Sequence, residues 1–371
     1  MKPMLIVFVG VAVWLGMSGL VTRRVITSTD VRGFYTAAVV IKEGRGRELY
    51  DLETQFETQR RVISELMVKE LTLPFFNPAA LAALLSPLAL VSFEAAWWVM
   101  WVVNLILVVG WSARMVREKM GRWVWTLALT GPVWINALLG QLAWVWTWVW
   151  YMAWKSLSLG EDRKAGWWLG ALALKPNWLV LPFLVMLLKR RWGVVRGVVE
   201  MGLVVAAMSL AISGVWGVEK YIELNRQAGG WNGIYGIETA SEATWRAWGV
   251  NVGGFVGSVI WLGGVAVSLA LLGTIWRGEW VRDKNLDWRW ATLIVVTILT
   301  NWHMGFHDLT VLLVAMFLAV RNLKSGQVWV WAGWILAGWL VVIGPKPTQM
   351  LSVVGFFGWS VARYWMGGRG R

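Results

Sequence analysis

Apolar segments of about 20 residues recur along the whole of this 371-residue chain, and they limit it to one broad class of fold. Within the segments the apolar residues are continuous rather than alternating, which favours transmembrane helices over the strands of a β-barrel. A helix also satisfies its backbone hydrogen bonds internally, as the interior of a bilayer requires. Only 15% of the residues are charged, whereas soluble domains carry about 25%. We therefore predict an all-α polytopic membrane protein with a single membrane domain over residues 1–371.

The apolar segments predict a bundle of roughly 10 to 13 transmembrane helices. Residues 3–21 are interpreted as an uncleaved anchor, because no small-residue cleavage site follows them. Residues 75–91 are short and contain two prolines, so they predict either a short span or a re-entrant hairpin. Residues 165–188 are interrupted by Lys-Pro-Asn at 175–177 and form either one helix or two short ones. The other predicted spans lie near 93–112, 123–139, 141–157, 197–217, 250–276, 290–301, 308–320, 328–344 and 350–366.

Two longer polar segments separate these spans. Residues 22–74 contain nine basic and eight acidic residues. Within them, the stretches 34–42 and 52–70 predict amphipathic helices that lie along the membrane surface. Residues 218–249 form the second polar loop. We expect both loops on the extracytoplasmic side of the cell membrane.

Basic residues indicate the orientation of the chain, whose net charge is +14. The positive-inside rule places basic connections in the cytoplasm. These connections are 114–122, 189–191, 277–289 and 321–324. The short connections at 140–141, 175–177, 301–307 and 345–349 then lie outside with the two polar loops. Because the basic residues are scattered through short loops, they indicate attraction to anionic lipid rather than nucleic-acid binding.

Several kinds of chemistry are excluded by residue content. The chain has no cysteine, which excludes thiolate catalysis and cysteine metal sites and leaves the redox compartment undetermined. It contains no P-loop, no strand followed by GxGxxG, no GxSxG and no zinc signature. We therefore expect no cofactor and no metal. The 33 tryptophans are typical of interfacial belts and helix packing, although some in the loops could stack on sugar rings.

Asp30 is the candidate catalytic residue. It follows the first predicted helix at the point where the chain leaves the bilayer. A carboxylate there could act as a general base for an attacking hydroxyl group. It could equally be the N-cap of a helix that begins at Val31.

Lys175 and the two histidines are the other ionisable residues within apolar segments. Lys175 either extends to the membrane surface from a helix end or contacts a phosphate beside a proline-broken helix. His303 and His307 would share one face if their helix is continuous, which suits a two-histidine metal site, hydrogen bonds to a phosphate or sugar, or polar packing. Ionisable groups inside membrane helices are costly and usually functional, so we expect one outward-facing site.

Amide side chains flank another interruption between apolar segments. Asn136 and Gln141 lie on either side of Gly140 and suit polar contacts between helices. In the second polar loop, Arg246 and Tyr235 belong to a segment that could cover an acceptor.

Several motifs occur in the order found in a known family. They are Asp30–Ala38 with GRGRELYD downstream, FFNPAALAALLSPLALVSFEAAW, GQLAWVWTWVW, AGWWLGALALKPNWLVLPFLVMLLKRRW and GFHDLTVLL. On these segments the chain resembles the GT-C superfamily of membrane glycosyltransferases, and specifically its alpha-1,2-mannosyltransferase-like family, which uses polyprenyl-phosphate sugars. The resemblance covers most of residues 1–320. It differs at Phe75-Phe76-Asn77-Pro78, where the family usually has an aromatic residue and two prolines.

The resemblance implies an inverting transfer of a hexose, mannose in that family, from a polyprenyl-phosphate donor to a lipid or glycan acceptor on the extracytoplasmic face. The family's acid corresponds to Asp30. The predicted contacts of the donor phosphate and sugar are Lys175, His303, His307, Arg246 and Arg32. The predicted contacts of the acceptor or sugar are Tyr35, Asn77, Gln141 and Asp308.

Two other functions are compatible with some of these features. Broken helices and charges within the membrane are also typical of a secondary transporter or flippase for a lipid-linked or small anionic substrate. The long first loop and the lack of internal repeats argue against that function. A non-catalytic scaffold would explain neither Asp30 nor Lys175.

Overall fold

The structure of the protein is a computed structural model that describes residues 21–63, 72–115, 117–118, 131–277 and 285–321, together with the isolated residues 16, 19, 353–355 and 358. These residues form helices, and within them the β-type pairing is a single bridge between Ile234 and Ile237. The predicted all-α membrane class is confirmed.

Fourteen α-helices are labelled here in chain order. They are α1 (Arg23–Thr27), α2 (Val31–Lys42), α3 (Leu52–Val62), α4 (Ala79–Leu85), α5 (Phe93–Met115), α6 (Gly131–Leu138), α7 (Ala143–Ser158), α8 (Asp162–Gly170), α9 (Val180–Leu188), α10 (Trp192–Ala228), α11 (Trp245–Val252), α12 (Gly254–Ile275), α13 (Leu286–Thr300) and α14 (Leu312–Arg321). Short 3-10 helices lie at Gly46–Glu48, Ser86–Leu90, Ala171–Leu174, Pro176–Trp178, Thr239–Ser241 and Phe306–Val311.

Three of the described helices are long and apolar enough to cross a bilayer, namely α5, α10 and α12. The predicted spans at 93–112 and 250–276 correspond to α5 and α12. Shorter apolar helices occupy Ala79–Leu90, Pro176–Leu188 and Phe306–Ala319. The predicted anchor at 3–21 and the predicted spans at 328–344 and 350–366 lie almost entirely outside the described residues.

The two interrupted segments are broken in the structure. Residues 165–188 form α8, two 3-10 helices and α9, with Lys175 in a non-helical conformation between them, so the alternative of one continuous helix is wrong. The helical part of 75–91 is Ala79–Leu90. At 1.5 Å per residue this reaches about 18 Å, well short of a bilayer core of about 30 Å. The re-entrant alternative therefore fits its length.

Helix α10 contains a kink at Gly214, which has φ 64° and ψ −179°. The turn at Gly46–Glu48 lies against this kink, and a Cβ atom on Gly46 would come within 2.5 Å of the Ile212 carbonyl oxygen. The part of α10 after the kink is rich in charged residues and corresponds to the start of the second polar loop, predicted at 218–249. That loop therefore begins with a helical arm, and its irregular part is 229–244.

Charged residues of three expected cytoplasmic connections contact the end of α7 and the start of α8. Glu118 pairs with Lys155 at 3.0 Å, and the carboxylate of Asp287 accepts a hydrogen bond from the indole of Trp154 at 3.0 Å. Arg191 pairs with Asp162. Three connections that are distant in the chain therefore all contact the stretch 154–162.

The first polar loop is folded into the protein rather than laid along its surface. Helix α2 is present close to the predicted 34–42, but it is buried on nearly every side, with Val31, Ala37 and Val40 fully buried. The predicted amphipathic helix at 52–70 corresponds to α3 over its first part. Helix α3 ends at Val62, residues 64–71 are not described, and the buried residues of α3 are polar.

Two glutamines of α3 explain this inverted pattern. Gln55 donates to the Leu49 carbonyl at 2.9 Å and accepts from the Phe75 backbone N–H at 2.7 Å. Gln59 donates to the Leu73 carbonyl at 2.9 Å and accepts from the Leu73 N–H at 3.2 Å. Both side chains are fully buried. Their amide groups provide the hydrogen-bond partners that the backbone of the extended chain at 72–76 would otherwise lack.

Buried tryptophans fill the interior between helices. Trp150 packs edge-on against Trp178 and Trp290, with ring centroids 6.2 and 5.5 Å away. The indole N–H of Trp290 donates to the Trp150 carbonyl at 3.2 Å. Helix packing, one of the two roles expected of the tryptophans, is thus realised in α7, α13 and the 3-10 turn at Pro176–Trp178.

The glutamine contacts lead to a stability prediction. We expect Gln55→Ala to lower the free energy of unfolding by about 1–3 kcal/mol, because it leaves a buried carbonyl and a buried N–H without partners. Thermal unfolding of the purified protein in detergent measures the change. The control is Arg60→Ala, an exposed residue of the same helix, which should change stability little. Equal shifts for both variants would contradict the assigned role of Gln55.

Candidate active site

The carboxylate of Asp30 is directed away from its own helix. Asp30 precedes α2, but its side chain makes no capping hydrogen bond to that helix. Its Oδ2 atom instead accepts a hydrogen bond of 2.6 Å from Nε2 of Gln141. Asp30 is therefore the N-cap residue of α2 by position, as the alternative predicted, but its side chain does not cap the helix. Asp30 is half-buried, so its carboxylate is both held in place and accessible.

Gln141 lies in the turn between α6 and α7, and this turn requires a glycine. Gly140 has φ +63°, a conformation that other residues rarely adopt. A Cβ atom on Gly140 would lie 2.1 Å from Cγ2 of Val31. The glycine therefore allows the turn to approach the start of α2, and this approach brings Gln141 to Asp30.

Lys175 turns inward and forms an ion pair. Its Nζ atom lies 2.5 Å from Oδ1 of Asp308, and the two side chains are 15% and 1% exposed. The alternative in which Lys175 extends to the membrane surface is therefore wrong. The other carboxylate oxygen of Asp308 accepts from the Gly305 N–H at 3.3 Å and lies 3.5 Å from Nε2 of His307. Asp308 was expected to contact the acceptor or sugar, but in this arrangement both of its oxygens are occupied by protein groups.

The two histidines do not share a helix face. Residues 301–305 are not helical, so His303 lies in a loop, whereas His307 lies in the 3-10 helix Phe306–Val311. The spacing argument for a two-histidine metal site therefore fails. Among the residues that the structure describes, no three histidine, aspartate or glutamate side chains are grouped so that they could hold a metal ion.

His303 is paired with Glu242, which sequence reasoning missed. Nδ1 of His303 lies 2.6 Å from Oε1 of Glu242. The glutamate is 5% exposed, whereas half of the His303 side chain is open. The one available signal was the position of Glu242 in the second polar loop, four residues before Arg246.

The charge of Glu242 acts on the protonation of His303. Burial lowers the pKa of His303, but the hydrogen bond and the charge of Glu242 more than offset burial, so the pKa lies above its ordinary value. Lys175 lowers this pKa and Asp308 raises it, and both effects are smaller. The arrangement therefore favours the imidazolium form at an accessible position.

Two asparagines join the broken segment at 175–178 to the loop at 301–305. The side chain of Asn177 donates to Oδ1 of Asn301 at 3.2 Å and to the His303 carbonyl at 2.9 Å. The side chain of Asn301 donates back to the Asn177 carbonyl at 2.8 Å. This reciprocal contact holds Lys175 beside the histidines.

These groups form one electrostatic cluster, although they are far apart in the sequence. The charged groups that act on His307 are Asp308, Lys175, Asp30 and His303. His307 therefore lies within electrostatic range both of Asp30 and of the ion pair between Lys175 and Asp308. A carboxylate near cationic side chains is suited to removing a proton while those cations stabilise a departing anion.

The predicted arginines lie beside this cluster with different partners. Arg246 donates to the carbonyls of Gly229 at 2.8 Å and Trp302 at 3.1 Å, and its guanidinium stacks on the Trp302 ring at 4.3 Å. It therefore joins the second polar loop to residues 301–305. Arg32 donates to the Thr29 carbonyl at 3.3 Å. Burial lowers the pKa of Arg32, and the charge of Asp30 partly offsets that effect.

Tyr35 and Asn77 have mainly structural contacts. The hydroxyl group of Tyr35 donates to the Val91 carbonyl at 2.8 Å, and the residue is 6% exposed. The carbonyl of Asn77 accepts from the hydroxyl of Tyr50 at 2.9 Å. Tyr35, predicted as a contact of the acceptor or sugar, instead fastens α2 to the segment before α5.

Comparison with protein families identifies the class of protein to which this chain belongs. Residues 75–301 match the family model of glycosyltransferase family 87. The chain belongs to glycosyltransferase family 87. It is therefore a membrane glycosyltransferase of the GT-C-like kind, and the predicted superfamily is confirmed at this level. A search of curated proteins and a search of solved structures gave no match.

The region matched to glycosyltransferase family 87 contains only part of the cluster. Gln141, Lys175 and Glu242 lie within it, whereas Asp30 and His307 lie outside it. The assignment to the family thus stands independently of the residue proposed below as the base.

The buried ion pair leads to a stability prediction. We expect Lys175→Met to lower the free energy of unfolding by about 3–5 kcal/mol, because Asp308 loses its counter-ion while buried. Thermal unfolding in detergent measures the loss.

A matched control is the surface pair of Lys164 and Glu161, whose side chains are 51% and 42% exposed. Lys164→Met should cost about 0–1 kcal/mol. If Lys175→Met is no more destabilising than Lys164→Met, the ion pair does not stabilise the fold as described.

Proposed function

We propose that this membrane glycosyltransferase transfers a hexose from a polyprenyl-phosphate sugar to a hydroxyl group of a lipid or glycan acceptor, with inversion, on the extracytoplasmic face of the cell membrane. The expected sugar is mannose and the expected linkage alpha-1,2, as in the family that the motifs resemble. The observation that carries the proposal is the approach of the Asp30 carboxylate to His307, which lies beside the ion pair of Lys175 with Asp308.

In the proposed reaction Asp30 removes the proton of the acceptor hydroxyl. The hydroxyl oxygen forms a bond to the anomeric carbon of the sugar, on the face opposite the phosphate. The bond between that carbon and the phosphate oxygen breaks, and its electron pair leaves with polyprenyl phosphate. The hydrogen bond from Gln141 occupies one oxygen of Asp30 and leaves the other for the acceptor. Inversion follows because the attacking and leaving oxygens lie on opposite faces.

The leaving phosphate is assigned to the cationic side of the cluster. Lys175 has three N–H donors, of which Asp308 accepts one. The imidazolium of His303, half of whose side chain is exposed, is the second cation assigned to the phosphate. Cations fixed in advance stabilise the charge that develops on the phosphate oxygen without any need for reorganisation.

The first test replaces the proposed base. We expect Asp30→Asn to reduce transfer by at least about 100-fold, because an amide cannot accept the proton. Purified protein is incubated with a radiolabelled polyprenyl-phosphate sugar and an acceptor, and the release of polyprenyl phosphate is measured. This product also separates a transferase from a transporter or flippase, which would release none.

Two controls accompany this experiment. Binding of the donor lipid and thermal stability should be retained in Asp30→Asn. Glu57→Gln, which removes an exposed acid from the same loop, should leave transfer unchanged. Full turnover by Asp30→Asn would remove Asp30 from the mechanism.

The second test uses the dependence of activity on pH. Glu242 raises the pKa of His303, so protonation of His303, and the activity that needs it, should persist to higher pH than for an unpaired imidazole. In Glu242→Gln we expect the alkaline limb of the kcat/KM profile to move to lower pH, because the imidazolium loses the hydrogen bond and the charge that stabilise it.

The control is Glu238→Gln, an exposed acid of the same loop. Its profile should superimpose on that of the unmodified protein. A Glu242→Gln profile with an unmoved alkaline limb would show that His303 is not needed as a cation.

A further inference from the structure

We infer that Asn104 and Asn136 are positioning residues, which hold Gln141, and through it the carboxylate of Asp30, in the geometry needed for proton removal. The inference rests on the proposed function of Asp30. It concerns residues on α5 and α6 that form no direct contact with a substrate in the proposed reaction.

The orientation of both asparagine amides follows from the backbone. Oδ1 of Asn136 accepts a hydrogen bond of 2.9 Å from the N–H of Ala143. Since a backbone N–H can only donate, this atom must be the oxygen, and the NH₂ group of Asn136 must point the other way. That group donates to Oδ1 of Asn104 at 2.5 Å.

The NH₂ group of Asn104 is then directed to two carbonyls. It donates to the Met100 carbonyl at 2.9 Å, within α5, and to the Gln141 carbonyl at 3.1 Å. The backbone of Gln141 is also held on its other side, because its N–H donates to the Asn136 carbonyl at 2.9 Å. Both polar groups of the Gln141 backbone are therefore bound by this pair of asparagines.

The network has a single accessible end. Asn104 and Asn136 are 2% and 0% exposed, whereas Gln141 and Asp30 are half-buried. The amide of Gln141 extends from its fixed backbone to Oδ2 of Asp30 at 2.6 Å. A displacement of the turn would therefore move the donor that orients the proposed base.

Packing alone does not account for these side chains. Apolar residues of similar size could fill the space between α5 and α6 without the cost of burying two amides. A fully satisfied polar network instead selects one arrangement of the elements that it joins. Here the selected arrangement is the position of the turn at 139–142 relative to α2.

The inference is tested by a double-mutant cycle. The variants are Asn136→Ala, Gln141→Ala and the combination of both, assayed for release of polyprenyl phosphate. We expect Asn136→Ala to reduce kcat by about 10- to 100-fold, as displacements of about 1 Å do, with KM for the donor changed less than about twofold. In the Gln141→Ala background the same substitution should cause no further loss, because residues that act through one partner are not additive.

A control and a conservative variant complete the cycle. The control is Asn225→Ala. The side chain of this exposed asparagine donates to the carbonyl of the residue four positions earlier in its own helix, at 2.9 Å, and Asn104 makes the same kind of bond. The control variant should leave kcat unchanged. Asn136→Asp can still accept from Ala143 but cannot donate to Asn104, so it should reproduce the loss of kcat, and it replaces Asn136→Ala if that variant does not fold.

Each outcome has a distinct meaning. An equal loss of kcat with and without Gln141 would overturn the inference, as would an unchanged kcat in Asn136→Asp. Full activity of Asp30→Asn would instead overturn the proposed function. A loss in Asp30→Asn together with additive effects at Asn136 and Gln141 would leave the proposed function standing and refute the positioning role.

Discussion

Each break in an apolar helix leaves backbone polar groups that must find partners where water is scarce, and the site depends on how two such breaks are satisfied. In both cases the partners are a pair of asparagines. Asn104 and Asn136 hold the turn between α6 and α7, and Asn177 and Asn301 hold the broken segment between α8 and α9. The first break presents Gln141 to Asp30, and the second presents Lys175 to Asp308. The same hydrogen bonds that make the breaks tolerable therefore also place the reactive groups.

The two breaks have different electrostatic characters. At the first, neutral amides orient one carboxylate, which stays accessible. At the second, each partly exposed cation is paired with a buried acid: Lys175 with Asp308, and His303 with Glu242. The buried acid stabilises the charge of the cation, and only the cation is exposed to a substrate. This division fits a reaction in which a proton is removed at one side and a phosphate departs from the other.

The polar loops complete the site because they are folded against it. The backbone N–H of Ala243 in the second polar loop donates to the Met304 carbonyl at 3.2 Å, next to the pairing of Glu242 with His303. The second polar loop also contacts the chain just after the first polar loop, where Trp231 packs edge-on against Phe76, with ring centroids 6.1 Å apart. The glutamines of α3 hold that part of the chain in an extended conformation. Both loops are thus connected to the same group of breaks.

Apolar content and local interruptions determined the helical membrane class, the possible break at Lys175 and the candidates Asp30, Lys175 and His307, because helix formation and its interruption depend on neighbouring residues. Motif order also indicated the superfamily. The sequence did not indicate the buried polar face of α3, because Gln55 and Gln59 look amphipathic whether they face lipid headgroups or an extended chain. It also did not indicate the roles of Glu242 and Asn104. Only the tertiary structure decided which partner each polar side chain meets, since Asp30 and Gln141, or Lys175 and Asp308, are brought together by the packing of helices that no local pattern records.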